Sequence, residues 1–213
     1  MKPRYEYANW VIPGRVMCGP FPGLDGINTP TLDEAHENIK AILQDGVNTF
    51  VSLQTSCETL GHPYFPQYKH YKDIIPPTLT CGFLEYPMVD QSTPDKRAFL
   101  RHMHELCEAY QQGRVLYIHC AGGHGRTGLY VSCLLMALAF RRLIDLSTII
   151  PAYHGTIDKR AASEVMYYVQ RVHDTREKKD KRAYSGGRVS VRSPNSDAQI
   201  VFVYEFAAYL SFL

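Results

Sequence analysis

The chain has 213 residues, 45% of them hydrophobic and 21% charged, with a formal net charge of +2. This is the make-up of an ordinary soluble protein, long enough for one domain with a sizeable core, and its near-neutral balance offers no basis for binding nucleic acid or anionic membranes. No apolar run is long enough to span a bilayer and Met1-Lys2-Pro3-Arg4-Tyr5 does not begin a secretory signal; six scattered cysteines (Cys18, Cys57, Cys81, Cys107, Cys120, Cys133) read as reduced thiols, so a cytoplasmic location is expected, with the nucleus the alternative.

Residues 9–23 read as a short strand and turn. Residues 31–46 open on Thr31, a helix N-cap, and close at Gly46, so a helix is expected. A buried strand follows at 47–53. Residues 54–80, rich in Pro, Tyr and His without a clear period, read as loops with one short helix. Residues 81–89 form the next strand. Thr93 before Pro94 looks like an N-cap with proline at the first helical position, opening an amphipathic helix that ends at Gly113. Residues 114–119 alternate as a buried strand does, and 126–143 run apolar at helical spacing. Further helices are expected near 146–154 and over 161–176. A polar stretch at 177–191 precedes a last helix, opened by Ser193 and Pro194, with the apolar run 200–213. Strands alternating with helices predict an α/β fold over residues 1–213: a central, mostly parallel sheet with helices on both faces.

Between the strand at 114–119 and the helix at 126–143 stands His-Cys-Ala-Gly-Gly-His-Gly-Arg-Thr-Gly, residues 119–128. Unpartnered N–H groups at a helix N-terminus favour an anion, and the loop lies at the carboxyl end of a strand, where open α/β sheets place their ligands. Gly122, Gly123 and Gly125 tolerate the angles that turn successive amides inward, so Ala121 to Gly125 form a cradle that includes His124. Arg126 supplies a planar fork for two phosphate oxygens, where lysine would supply a point charge. In this field of amides and guanidinium Cys120 is expected to be a thiolate at neutral pH. Thr127 can donate a hydrogen bond to the sulfur, and His119 props the loop from beneath. A metal site from His119, Cys120 and His124 lacks a second ligand pair at zinc-like spacing.

These residues resemble the signature of the cysteine-dependent protein tyrosine and dual-specificity phosphatases, His-Cys-x5-Arg-[Ser/Thr]-Gly. The resemblance implies a three-layer fold and a two-step reaction that requires no metal or organic cofactor. Cys120 would attack phosphorus while Arg126 and the loop amides hold the equatorial oxygens, and the phosphocysteine would then be hydrolysed. A general acid is needed, and the family carries an aspartate on a loop before the cysteine. Asp90 follows its strand directly and is preferred; Asp95, in the first turn of a helix, is the rival. A glutamine that aligns the water is also looked for, and Gln199, just inside the last helix, fits.

A phosphorylated protein is the expected substrate, with phosphotyrosine or dual specificity. The alternatives are a phosphoinositide or other non-protein phosphate, or a phosphate-binding pseudophosphatase without turnover. Lipid phosphatases of this superfamily often carry lysines in the loop, where Ala121 and Gly123 stand here. Tyr64, Tyr68 and Tyr71 are candidates to flank the pocket, and Cys57 to resolve an oxidised Cys120. The basic run at 176–182 is diluted by acidic residues and reads as a solvated helix end.

Overall fold

The computed structural model describes residues 1–24, 29, 31–55, 58, 70–174 and 192–213. Five strands, β1 (Asn9–Ile12), β2 (Val16–Gly19), β3 (Thr49–Ser52), β4 (Gly82–Glu85) and β5 (Leu116–His119), form one sheet in the order β1-β2-β5-β3-β4. Only the β1–β2 hairpin is antiparallel; β2, β5, β3 and β4 run parallel. Around the sheet lie α1 (Leu32–Gln44), α2 (Lys96–Gln111), α3 (Gly125–Phe140), α4 (Lys159–Asp174) and α5 (Asp197–Ser211). None of the described helices is long and apolar enough to cross a membrane.

Strand periodicity sorts the core into two faces. Leu116 and Ile118 of β5 point into the larger cluster with α2, α3, α4 and α5, whereas Tyr117 points into a smaller one with Ile39 and Ile42 of α1. The expected sheet with helices on both faces is therefore present. Packed by α2, α4 and α5, α3 is buried almost all round, which explains its nearly unbroken apolar sequence.

Thr31 caps α1 as expected, accepting from the Glu34 N–H. Other boundaries moved, each for a local reason. Residues 9–23 make two strands, because Gly14, at φ 70°, closes a hairpin. At the sheet edge, β4 is shorter than residues 81–89, although Tyr86 and Met88 N–H still donate to the Ser52 and Leu53 carbonyls. α2 begins at Lys96, after Pro94, because Asp95 itself is the N-cap and accepts from the Ala98 N–H at 2.9 Å. α3 stops at Phe140: Arg142 takes φ 57°, and the Arg142 and Leu143 N–H groups turn back onto the Ala139 and Leu138 carbonyls. The helix expected near 146–154 is only the 3₁₀ turn Leu146–Thr148, capped by Asp145, with Pro151 unable to supply an N–H to continue it. α5 is capped by Ser196 and not opened by Ser193 and Pro194, which are joined by a cis peptide.

Candidate active site

The loop from Cys120 to Gly125 leaves the end of β5 and enters α3, whose second residue is Arg126. Parallel pairing sets Gly19 of β2 beside His119 and brings the next segment against the loop, where Phe21 N–H donates to the Ala121 carbonyl at 3.0 Å. Gly123 has φ 73°, and a Cβ there would lie 2.3 Å from the Gly19 carbonyl carbon, so both conformation and space demand glycine. Cys120 is 3% exposed, and its Sγ accepts from the Gly123 N–H at 3.3 Å. Gly122 is partly exposed, and His124 is held through its ring, with His173 of α4 in hydrogen-bond contact and the two rings edge to face at 4.3 Å.

Beneath the loop His119 is fully buried. Its Nδ1 faces the Cys120 carbonyl at 3.4 Å, and since a carbonyl can only accept, Nδ1 carries the proton while Nε2 accepts from the Tyr71 hydroxyl at 3.2 Å. Burial above all, with the nearby His70, lowers its pKa to about 3, so it is a neutral prop. Tyr71 is thus a buried support and does not flank the pocket. Tyr64, Tyr68, Cys57 and the run 176–182 lie outside the described residues.

Arg126 is 1% exposed, and its charge is met on several sides. Nη1 and Nη2 donate to the two carboxylate oxygens of Glu58 at 2.6 and 2.7 Å, and Nη1 also reaches the Met88 carbonyl at 2.9 Å. Nε lies 3.2 Å from Asp90 Oδ1, but its N–H is not aligned on that oxygen and makes no hydrogen bond. Burial opposes the guanidinium charge, yet the bond to Glu58 and the surrounding negative charges outweigh it and raise its pKa. Burial likewise works against the Glu58 carboxylate, and the bonds from Arg126 and from Thr55 overcome it, holding the carboxyl below its usual range.

Glu58 was missed by the sequence reading. Its signal was the capping-box spacing Thr55-x-x-Glu58: the carboxylate accepts from the Thr55 N–H at 2.9 Å and hydroxyl at 3.0 Å.

Of the two aspartates, Asp90 is brought to Arg126, while Asp95 is committed to capping α2. The Asp90 side chain remains 64% exposed, open to solvent on its other side. Thr127 Oγ1 is buried and makes no hydrogen bond; Sγ of Cys120 is met by Gly123 instead. Gln199 is fully buried against the loop, its Oε1 2.9 Å from where a Cβ on Gly125 would stand. Asp90 thus lies beside Arg126 and Gln199 against Gly125 of the loop, while Thr127 makes no hydrogen bond to Cys120. Among the described residues no cluster of three or more His, Cys, Asp or Glu could hold a metal ion.

A family model described as the DSP-PTPase phosphatase domain of Swiss Army Knife proteins matches residues 5–185. The chain belongs to this phosphatase family. It is 31% identical over 103 residues to 067L of Invertebrate iridescent virus 3, a protein named as a tyrosine phosphatase, covering 46% of this chain and 38% of that one. It is 29% identical over 168 residues to the dual specificity protein phosphatase CDC14AB of Danio rerio, covering 72% of this chain and 24% of that protein. The chain thus spans well under half the length of these two relatives. Among solved structures, kinase associated phosphatase with its catalytic-site cysteine substituted by serine superposes with a TM-score of 0.59 at 17% identity, over 92% of this chain and 86% of that one.

Proposed function

We infer that this chain hydrolyses phosphotyrosine, and phosphoserine and phosphothreonine, in phosphorylated proteins, with Cys120 as the nucleophile. The observation that carries the reading is the buried, unspent N–H of Arg126 Nε, held 3.2 Å from Asp90 at the end of a loop that begins with a cysteine. Glu58 takes one hydrogen from each terminal nitrogen, which fixes the plane of the fork and leaves the Nε edge for phosphate oxygens.

In the first step Cys120 Sγ forms a bond to phosphorus as the bond to the leaving oxygen breaks, and Asp90 gives that oxygen its proton. Arg126 and the amides of Ala121, Gly122, Gly123, His124 and Gly125 hold the three equatorial oxygens. In the second step Asp90, now a carboxylate, takes a proton from water as that water displaces the sulfur. The unpartnered Thr127 hydroxyl is available to donate to the departing thiolate. Gln199 packs against Gly125 of the loop, with both ends of its amide bonded to protein.

Turnover of para-nitrophenyl phosphate, with Cys120→Ser as the control, tests the chemistry. Phosphotyrosyl, phosphoseryl and phosphothreonyl peptides set beside phosphoinositides test the substrate class. Peptide turnover well above lipid turnover is expected; the reverse order would overturn the protein-substrate reading, and no turnover of any of them would make the chain a phosphate-binding pseudophosphatase.

A further inference from the structure

The turn that carries Asp90 is held from two sides. On one side Arg126 Nη1 donates to the Met88 carbonyl at 2.9 Å. On the other, two successive carbonyls are taken by the first turn of α5: Ser196 Oγ donates to the Gln91 carbonyl at 2.9 Å, and Gln199 Nε2 donates to the Ser92 carbonyl at 3.2 Å. Asp90 lies between these anchors.

The turn is not at rest by itself. Gln91 adopts φ 59°, the left-handed region that a glutamine occupies only when its surroundings impose it. The local bonds, from Ser92 N–H and hydroxyl to the Val89 carbonyl, close the turn but leave the Gln91 carbonyl to Ser196. The donors are equally committed. Ser196 and Gln199 form a reciprocal capping box, in which Ser196 Oγ accepts from the Gln199 N–H at 3.2 Å and Gln199 Oε1 accepts from the Asn195 and Ser196 N–H groups at 3.1 and 3.2 Å. One hydroxyl therefore caps the helix as an acceptor and holds the turn as a donor. The Gln199 amide, fully buried, is wedged between the turn and Gly125 of the cysteine loop.

We propose that the Ser196–Gln199 capping box is a clasp that holds the Asp90 turn over the cysteine loop, which makes Ser196 a positioning residue for proton transfer to the leaving group. The proposal rests on the reading of Asp90 as the acid. It also gives Gln199 a task distinct from water alignment, because both ends of its amide are bonded to protein.

The two roles of Ser196 can be separated. Aspartate is as good an N-cap as serine but cannot donate to a carbonyl, whereas threonine keeps both functions. Ser196→Asp should keep a near-parental melting temperature and vanadate affinity. Its kcat for phenyl phosphate, a poor leaving group, should fall about tenfold or more, while kcat for an activated aryl phosphate changes by less than about twofold. The alkaline limb of its pH–rate profile should flatten, and Ser196→Thr should restore both readouts. Should Ser196→Asp fail to fold, Ser196→Gly, a tolerated cap without a donor, is read in the same way. Equal losses on both substrates, or no loss on either, would overturn the clasp. Asp90→Asn measured beside it distinguishes the two readings: a leaving-group-dependent loss there with none in the Ser196 variants overturns the clasp alone, and no such loss in Asp90→Asn overturns the acid assignment and the clasp together.

Discussion

Both terminal nitrogens of Arg126 are bonded to the carboxylate of Glu58, a residue 68 positions earlier in the chain. The pair explains how a guanidinium with 1% of its surface exposed remains charged and correctly turned before any phosphate arrives. Unpairing a buried charge costs about 3–5 kcal/mol, and the partial exposure of Glu58 places this pair towards the lower end. Glu58→Ala should therefore lower the melting temperature by several degrees and weaken vanadate inhibition, with Glu58→Gln intermediate because it keeps one acceptor on the fork. Thermal unfolding and inhibition titrations check both.

Cys120→Ser should abolish turnover while leaving binding of phosphate analogues largely intact, since the amides and Arg126 persist and only the nucleophile is lost. Arg126→Lys should be nearly inactive as well: an ammonium cannot reproduce a fork that bonds Glu58 on one edge and holds phosphate on another. Single-turnover kinetics and isothermal titration with vanadate read the two effects separately. Residual activity within about tenfold of the parent in Cys120→Ser would remove it as the nucleophile.

The two aspartates should behave differently. Asp90→Asn should lower turnover of substrates with poor leaving groups by roughly 10²–10⁴-fold and flatten the alkaline limb of the pH–rate profile. Asp95→Asn should be close to neutral because asparagine caps as well as aspartate does, and Asp95→Ala should cost about 0.5–2 kcal/mol of stability without a leaving-group effect. Measured rates on a series of aryl phosphates, beside melting curves, would show an exchange of these behaviours if the acid were misplaced.

Acid should loosen the floor of the site before it touches the chemistry. Burial lowers the pKa of His119 to about 3 and, together with Lys72, that of His70 to about 4, against 6.5 for an unperturbed histidine. Between these values and 6.5 the unfolded chain binds more protons than the folded one, so stability rises with pH across that window. The contribution is complete above about pH 6.5 and is lost as pH falls towards 3. Denaturant unfolding at a series of pH values should show this slope, and His119→Gln should reduce it.

Residues 119–128 determine by themselves that a glycine-rich turn carrying a cysteine and an arginine stands between a strand and a helix, because these residues all lie within one local segment. Alternation of apolar residues determines the sheet and its two covered faces for the same reason: periodicity is a property of short stretches. What Arg126 pairs with, and which carbonyls hold Asp90, is decided by tertiary structure. Glu58, Met88 and Ser196 come from three separate segments that only strand order and helix packing bring together. The caps show the same division. Thr31 was legible because it accepts from the N–H three residues on, whereas the caps expected at Thr93 and Ser193 gave way to Asp95 and Ser196, which make that same bond two and three residues later; only the folded chain also shows Ser196 donating to the Gln91 carbonyl.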